Sequence, residues 1–129
     1  MTRAHQLGEL QLAIMQILWS ADEATVAIVH RELQPERDLA HTTVATMLSK
    51  MEKKGVVAHR SEGRQFVYRA TVSQAQVNRS MVSELTQRLF EGSPAALVSH
   101  LLTRSDIDPG ELRRIREMIE ASEEGQSPR

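Results

Sequence analysis

The stretch His41-Thr42-Thr43-Val44-Ala45-Thr46-Met47-Leu48-Ser49-Lys50-Met51-Glu52-Lys53-Lys54-Gly55 decides how the rest of the chain is read. Val44, Met47, Leu48 and Met51 fall at i, i+3, i+4 and i+7, which is one apolar face of an α-helix. At 3.6 residues per turn, Thr42, Thr46, Ser49 and Lys53 share a narrow stripe on the opposite side. Thr43 and Lys50 flank that stripe, and Ala45 flanks its other edge. Lys53 and Lys54 suit the negative end of the helix dipole, and Gly55 marks the stop. Ordinary surface helices mix signs, with Glu and Lys paired at i, i+4. Here there is one acid, Glu52, and it lies off the stripe. Ser and Thr are mediocre helix formers, so a merely solubilising face is an expensive use of them. Taken alone, the stripe divides evenly between a solvated face and a nucleic-acid face, and its neighbourhood has to decide.

A chain of 129 residues is one domain, or a small domain with an appendage. Its hydrophobic content of 40% is enough for a core. No run approaches the ~20 apolar residues of a membrane span, and no signal-peptide core opens the sequence, so the expected location is cytoplasmic. The absence of Cys excludes disulfides, thiol catalysis and thiolate metal sites. The formal net charge is only −1, but it is unevenly spread. From Arg37 to Ala70 there are seven basic residues and three acidic ones, whereas from Val72 onward there are seven Arg and nine acids. A basic central third is the electrostatic footprint that phosphate binding needs.

Residues 7–19 are apolar at Leu7, Leu10, Ile14, Ile17 and Leu18 and read as a first helix, with Trp19 as a core anchor. Thr25 is placed to cap a second helix from Val26 to about Gln34. The third helix is the opening stretch. Val56–Arg60 reads as a strand, Ser61-Glu62-Gly63 as a turn, and Arg64–Ala70 as a second strand in which Phe66, Tyr68 and Ala70 alternate with Gln65, Val67 and Arg69. Three helices followed by a two-stranded ribbon make a winged helix-turn-helix, with the third helix for recognition and the hairpin as the wing. The remainder is helical. Ser73 with Gln76 forms a capping box, Ser93-Pro94 starts another helix, and Asp108-Pro109 with Glu111 starts the last. The expected organisation is therefore a mainly α chain, with a winged-helix DNA-binding domain over residues 1–72 and a helical dimerisation region over 73–129. Met81, Leu85, Leu89, Leu112, Ile115 and Ile119 supply the apolar faces expected at a homodimer interface.

Catalytic chemistry finds no support. His5, His30, His41, His59 and His100 are scattered and form no metal-ligand spacing. There is no nucleophile elbow and no Gly-rich phosphate loop. The methionines fit helix cores. No cofactor or metal is implied, and an enzyme is not expected. For double-stranded DNA the chemistry is direct. A helix fits the major groove, and its small residues allow close approach. Thr42, Thr43, Thr46 and Ser49 can reach phosphates or base edges, and Lys50 and Lys53 can neutralise phosphates. Arg60 and Arg64, on either side of the wing turn, are placed for the flanking backbone or minor groove, while Arg69 reads better as a salt bridge on the outer face of the sheet. With no Arg, Asn or Gln on the stripe, readout should rest partly on DNA shape and on pairing of half-sites.

The segments "LGELQLAIMQILW", "LAHTTVATMLSKMEKKGVV" and "RSEGRQFVYRA", with the tail "EGSPAALVSHLL…IDPGELRRIREMIE", together resemble the penicillinase-repressor family of winged-helix regulators. The patterns T-T-V-x-T-x-L-x-x-x-x-x-K-G and G-R-x-F-x-Y carry the likeness, which runs over nearly the whole chain. The resemblance implies a homodimeric repressor of palindromic operators of the TACA/TGTA kind. It also implies a membrane-bound sensor metalloprotease as a partner, with a cleavage in the tail that would fall at His100–Leu101, where His and Leu replace the Asn and Phe of relatives. A plain core helix explains that segment at least as well. Relatives that respond to copper do so through Cys, which this chain lacks. Two competing readings remain. A winged-helix protein-interaction module without DNA binding would want an apolar or acidic face on helix three. A metal-responsive regulator or enzyme accessory would want clustered histidines.

Overall fold

The computed structural model of the chain describes residues 7–104 and 106–125. The elements run α1 (Glu9–Ala21), β1 (Ala24–Thr25), α2 (Val26–Leu33), α3 (His41–Lys54), β2 (Val57–Glu62), β3 (Gln65–Ala70), α4 (Gln74–Phe90), α5 (Pro94–Arg104) and α6 (Pro109–Gly125). Two compact units divide between Leu85 and Thr86, within α4. No described helix is long and apolar enough to cross a membrane.

The first unit is the winged helix-turn-helix, and its core is the periodic set read from the sequence. Ile14, Met15 and Leu18 of α1, Val29 and Leu33 of α2, and Val44, Leu48 and Met51 of α3 are all buried. Val56, Val57, Tyr68 and Val77 close the cluster. Local chemistry sets the helix ends. Thr25 Oγ1 accepts from the backbone N–H of Ile28 at 3.2 Å, capping α2. Gly55 stands at φ +91°, where a side chain is strained. Its N–H donates to Glu52 O, and the N–H of Val56 donates to Met51 O, which is a Schellman closure of α3. Trp19 is half-buried, and its indole N–H donates to Val72 O at 2.9 Å, so it ties α1 to the chain leaving the sheet.

The sheet has three strands in the order β1-β3-β2, not the two expected. Ala24 and Thr25 pair with Tyr68 and Val67. Two residues are too few to show alternation, so β1 left no periodic signal. The wing turn also lies one residue later than expected. Glu62 pairs with Gln65, which leaves Gly63-Arg64 as a two-residue loop with Gly63 at φ +64°. That is the II′ geometry that suits the twist of a hairpin. Ser61 and Glu62 therefore belong to β2. Nor does the alternation in β3 survive intact. Val67 and Tyr68, on opposite faces, are both buried, while Phe66 is 46% exposed.

The N-terminal unit extends past residue 72 because the start of α4 packs on it. The capping box forms, with Gln76 N–H donating to Ser73 Oγ and Ser73 N–H to Gln76 Oε1. Val77 is fully buried, and Met81 packs against the same core. Met81 thus lies at least partly inside its own chain, where i, i+4 spacing from Val77 puts it on the same helix face.

In the second unit, Glu91 and Gly92 both have positive φ and turn the chain after α4. Ser93 Oγ caps α5 through Ala96 N–H, and Asp108 Oδ1 caps α6 through Glu111 N–H. Neither α5 nor α6 holds a fully buried residue.

The core packing gives a direct test. Leu48→Ala should cost about 2–5 kcal/mol in urea unfolding of the chain, through lost burial and a residual cavity. Thr46→Ala, on the opposite face of the same helix, should stay within about 0.5 kcal/mol. Equal costs would mean that α3 is rotated from the position described.

Candidate nucleic-acid interface

The burial of Val44, Leu48 and Met51 turns the other side of α3 to solvent. Thr42, Thr43, Thr46, Ser49, Lys50 and Lys53 are all exposed, as the periodicity predicts. No ion pair involves Lys50 or Lys53 among the described residues.

The two edges of α3 are held by different partners. On one edge, Gln11 of α1 donates from Nε2 to Met47 Sδ at 3.3 Å, and its Oε1 accepts from Lys54 Nζ at 3.0 Å. On the other edge, Glu52 Oε1 receives His59 Nδ1 of β2 at 2.7 Å. At the start of the helix, the His41 ring lies 5.5 Å from that of His30 in α2, and His30 Nε2 meets Leu39 O at 2.8 Å. The helix is therefore gripped between α1 and the wing with its polar stripe left open.

The wing tip comes to the same side. A cleft of about 300 Å³ is lined by Thr25, Val26 and Ala27 at the start of α2, His41 of α3, and Arg64, Gln65 and Phe66 of the wing. Arg64 thus shares a surface depression with the first residue of α3. His41 and Phe66 were not singled out from the sequence. His41 carried no signal beyond a helix start, and an exposed Phe in a strand reads as core.

Arg60 stands differently from the other expected site residues. Its guanidinium meets Glu23 at 3.0 Å and Glu62 at 3.6 Å. The hydrogen bond and charge of Glu23 push its pKa above the ordinary guanidinium value. Two carboxylates already offset its charge, because the β1–β3–β2 register brings the Glu23 loop beside the outer face of β2. The salt bridge expected for Arg69 does not form among the described residues.

The residues expected at a dimer interface lie mostly open. Leu85, Leu89, Leu112 and Ile119 are exposed, with Leu89 at 69%, and Ile115 is half-buried. Within the second unit, Val98, Leu101, Leu102 and Met118 are exposed as well. His100 and Leu101 sit in the second half of α5, both exposed, with the His100 ring 5.7 Å from Phe90. His5 lies outside the described residues. No group of three or more potential metal ligands occurs among the described residues.

Comparison with known proteins places these features in context. A family model described as penicillinase repressor matches residues 7–121. The chain is 35% identical to the transcriptional regulator BlaI of Mycobacterium tuberculosis over 131 aligned positions, covering 99% of this chain and 95% of that protein. It is 23% identical to the penicillinase repressor of Bacillus licheniformis, covering 93% of this chain and 94% of that one. Among solved structures, the DNA binding domain of the repressor BlaI superimposes with a TM-score of 0.52 at 29% identity, over 59% of this chain and 93% of that one.

The difference between Lys50 and Arg60 is measurable. Lys50→Ala should weaken binding to duplex DNA of any sequence and lower the slope of log affinity against log salt by about one. Arg60→Ala, whose charge Glu23 and Glu62 already offset, should leave that slope nearly unchanged. Fluorescence anisotropy across a salt series reads both, and a reversed order would make Arg60 the phosphate contact.

Proposed function

The chain belongs to the penicillinase repressor family, and we propose that it is a DNA-binding transcriptional repressor acting as a homodimer, each copy laying the polar stripe of α3 into the major groove of one operator half-site. The observation that carries this reading is the stripe itself. Thr42, Thr43, Thr46, Ser49, Lys50 and Lys53 form an exposed face free of acids on a helix whose other side is core. Small hydroxyl side chains let the helix backbone come close to base edges, and the lysines neutralise phosphates on either side. Arg64, beside the start of α3 in the shared cleft, extends the contact from the wing. An interaction module that avoids DNA has no use for such a face.

The dimer is supported by what the single chain leaves uncovered. Helices α5 and α6 contain no fully buried residue, yet they expose Leu101, Leu102, Leu112, Met118 and Ile119. Short isolated helices are marginal in water and need a packed apolar face. A second copy supplies one, with Leu85, Leu89, Leu112, Ile115 and Ile119 at its centre. Two wing domains then address half-sites about one helical turn, ~34 Å, apart, which is the arrangement that a palindromic operator demands. The finer proposal for induction is a cut at His100–Leu101 by a membrane-bound sensor metalloprotease. It would remove α6 and the end of α5, and with them much of the apolar surface. Each copy would then bind alone and lose an effective-concentration gain of ~10²–10⁴. Because the bond lies within α5, the helix must unwind locally before a protease can engage it.

Two experiments test these statements. Light scattering should show a dimer for the native chain and monomers for Leu89→Asp, in which an unpaired charge enters the interface at a cost of several kcal/mol. Operator affinity should fall with the dimer, and a variant that stays dimeric would place Leu89 outside the interface. Mass spectrometry of the protein from cells before and after β-lactam exposure should reveal fragments ending at His100. Derepression with the chain intact would exclude the cut.

A further inference from the structure

The wing hairpin is anchored at its base and open at its tip. Val57 and Tyr68 are buried, whereas every residue from 60 to 66 is exposed. His59 pairs directly with Tyr68 in the β2–β3 register, one step before Val67, the last buried residue toward the tip. It is also the residue through which the wing reaches α3, because its Nδ1 meets Glu52 Oε1 at 2.7 Å. A carboxylate only accepts, so Nδ1 carries the proton in this contact whether or not the ring is charged. The ring is packed against two aromatic neighbours on β3. Phe66, diagonal to it on β3, stacks at 4.0 Å between centroids with 21° between planes, and Tyr68 lies at 5.4 Å. The ring thus has a fixed plane, a fixed tautomer and one strong partner. Glu52 is the lone acid of α3, and it is turned off the stripe to make this contact.

We propose that the Glu52–His59 hydrogen bond, held in plane by Phe66, is a positioning clamp that sets the distance of the wing from the recognition helix and so allows Thr46, Lys50 and Arg64 to engage one DNA duplex together. The proposal rests on the DNA-binding reading above. His59 and Glu52 are positioning residues and touch no DNA. On the outer face of the hairpin, Arg60 and Glu23 tie the same strand to the loop before β1. The stem of the wing is therefore braced from both faces, but only the inner brace reaches α3. A wing that swings freely about its base pays an ordering cost on each binding event, and a preformed one does not.

The test is a double-substitution cycle read by operator anisotropy on the full chain. His59→Ala and Glu52→Ala should each weaken binding by about tenfold, the order expected for loss of one hydrogen bond to a charged group. The double substitution should be no worse than either alone. Glu52→Gln, which keeps a carbonyl oxygen for His59 Nδ1–H, should restore most of the affinity. The salt slope should not change, since no phosphate contact is lost. In the free protein, amide exchange at Arg60–Gln65 should speed up in both Ala variants while the amides of α3 stay protected, which separates a loosened wing from a misfolded chain. Multiplicative effects in the double substitution would overturn the clamp, as would a slope lowered by about one in His59→Ala, which would make His59 a phosphate contact. Native affinity in both single variants would also overturn it. If the unsubstituted chain binds no duplex at all, the DNA-binding reading fails instead, and the exchange data then report the clamp alone.

Discussion

Burial of Val44, Leu48 and Met51 against α1, α2 and the sheet is the constraint from which the rest of the N-terminal unit follows. All three side chains are fully buried, and each contributes about 1.5–3 kcal/mol by removal from water. A helix that buries three such residues on one face has no rotational freedom left. The stripe from Thr42 to Lys53 must then face outward, and the two edges must meet Gln11 on one side and the wing on the other. Gly55 ends the helix where the chain has to reverse into β2, and the Schellman bonds there bring Val56 and Val57 straight into the core. The candidate recognition surface is thus a by-product of core packing rather than a separate construction.

Electrostatics shows the same economy. A chain with net charge −1 presents a basic stripe on α3 in part because four neighbouring acids are engaged away from it. Glu52 is held by His59, Glu23 and Glu62 by Arg60, and Glu9 by Arg37. The exposed pairs of Arg60 with Glu23 and Glu62 add little stability, but all of these pairs redistribute charge. What they leave at the open face is Lys50, Lys53 and Arg64, in a setting of neutral hydroxyls. Such a surface holds a phosphate backbone well and reads bases weakly. That balance fits the dimer proposed above, in which selectivity would come from placing two copies on one site rather than from many contacts in each.

Tyr68 illustrates how closely the parts are joined. Burial pushes its phenol pKa up, and the nearby Glu52 carboxylate adds to the shift. Its ring lies beside His59, its backbone pairs with both Ala24 and His59, and its side chain belongs to the core cluster. One residue therefore joins the short first strand, the wing stem and the end of α3. The second unit has no comparable centre. Its helices are capped by Ser93 and Asp108 but fill no core of their own.

The sequence by itself determined the elements whose signals are periodic or local. The α3 face, the Thr25 cap, the Gly55 stop, the Ser73–Gln76 box and the amphipathic tail were all legible, because 3.6-residue spacing and cap chemistry act within a few residues. The stripe residues of the candidate site were legible for the same reason, since the outer face of a helix is the complement of its buried face. Only the tertiary structure decided what depends on residues far apart in the chain. The two-residue strand Ala24–Thr25 exists because β3 is there to pair with it. Arg60 is engaged because the sheet brings Glu23 beside it, 37 positions away. Met81 turns toward the first unit because Val77 finds room in its core. His59, a scattered histidine in the sequence, meets Glu52 because the chain reverses at Gly55. Contacts of this kind arise from the meeting of surfaces, and spacing along a chain carries no record of which surfaces will meet.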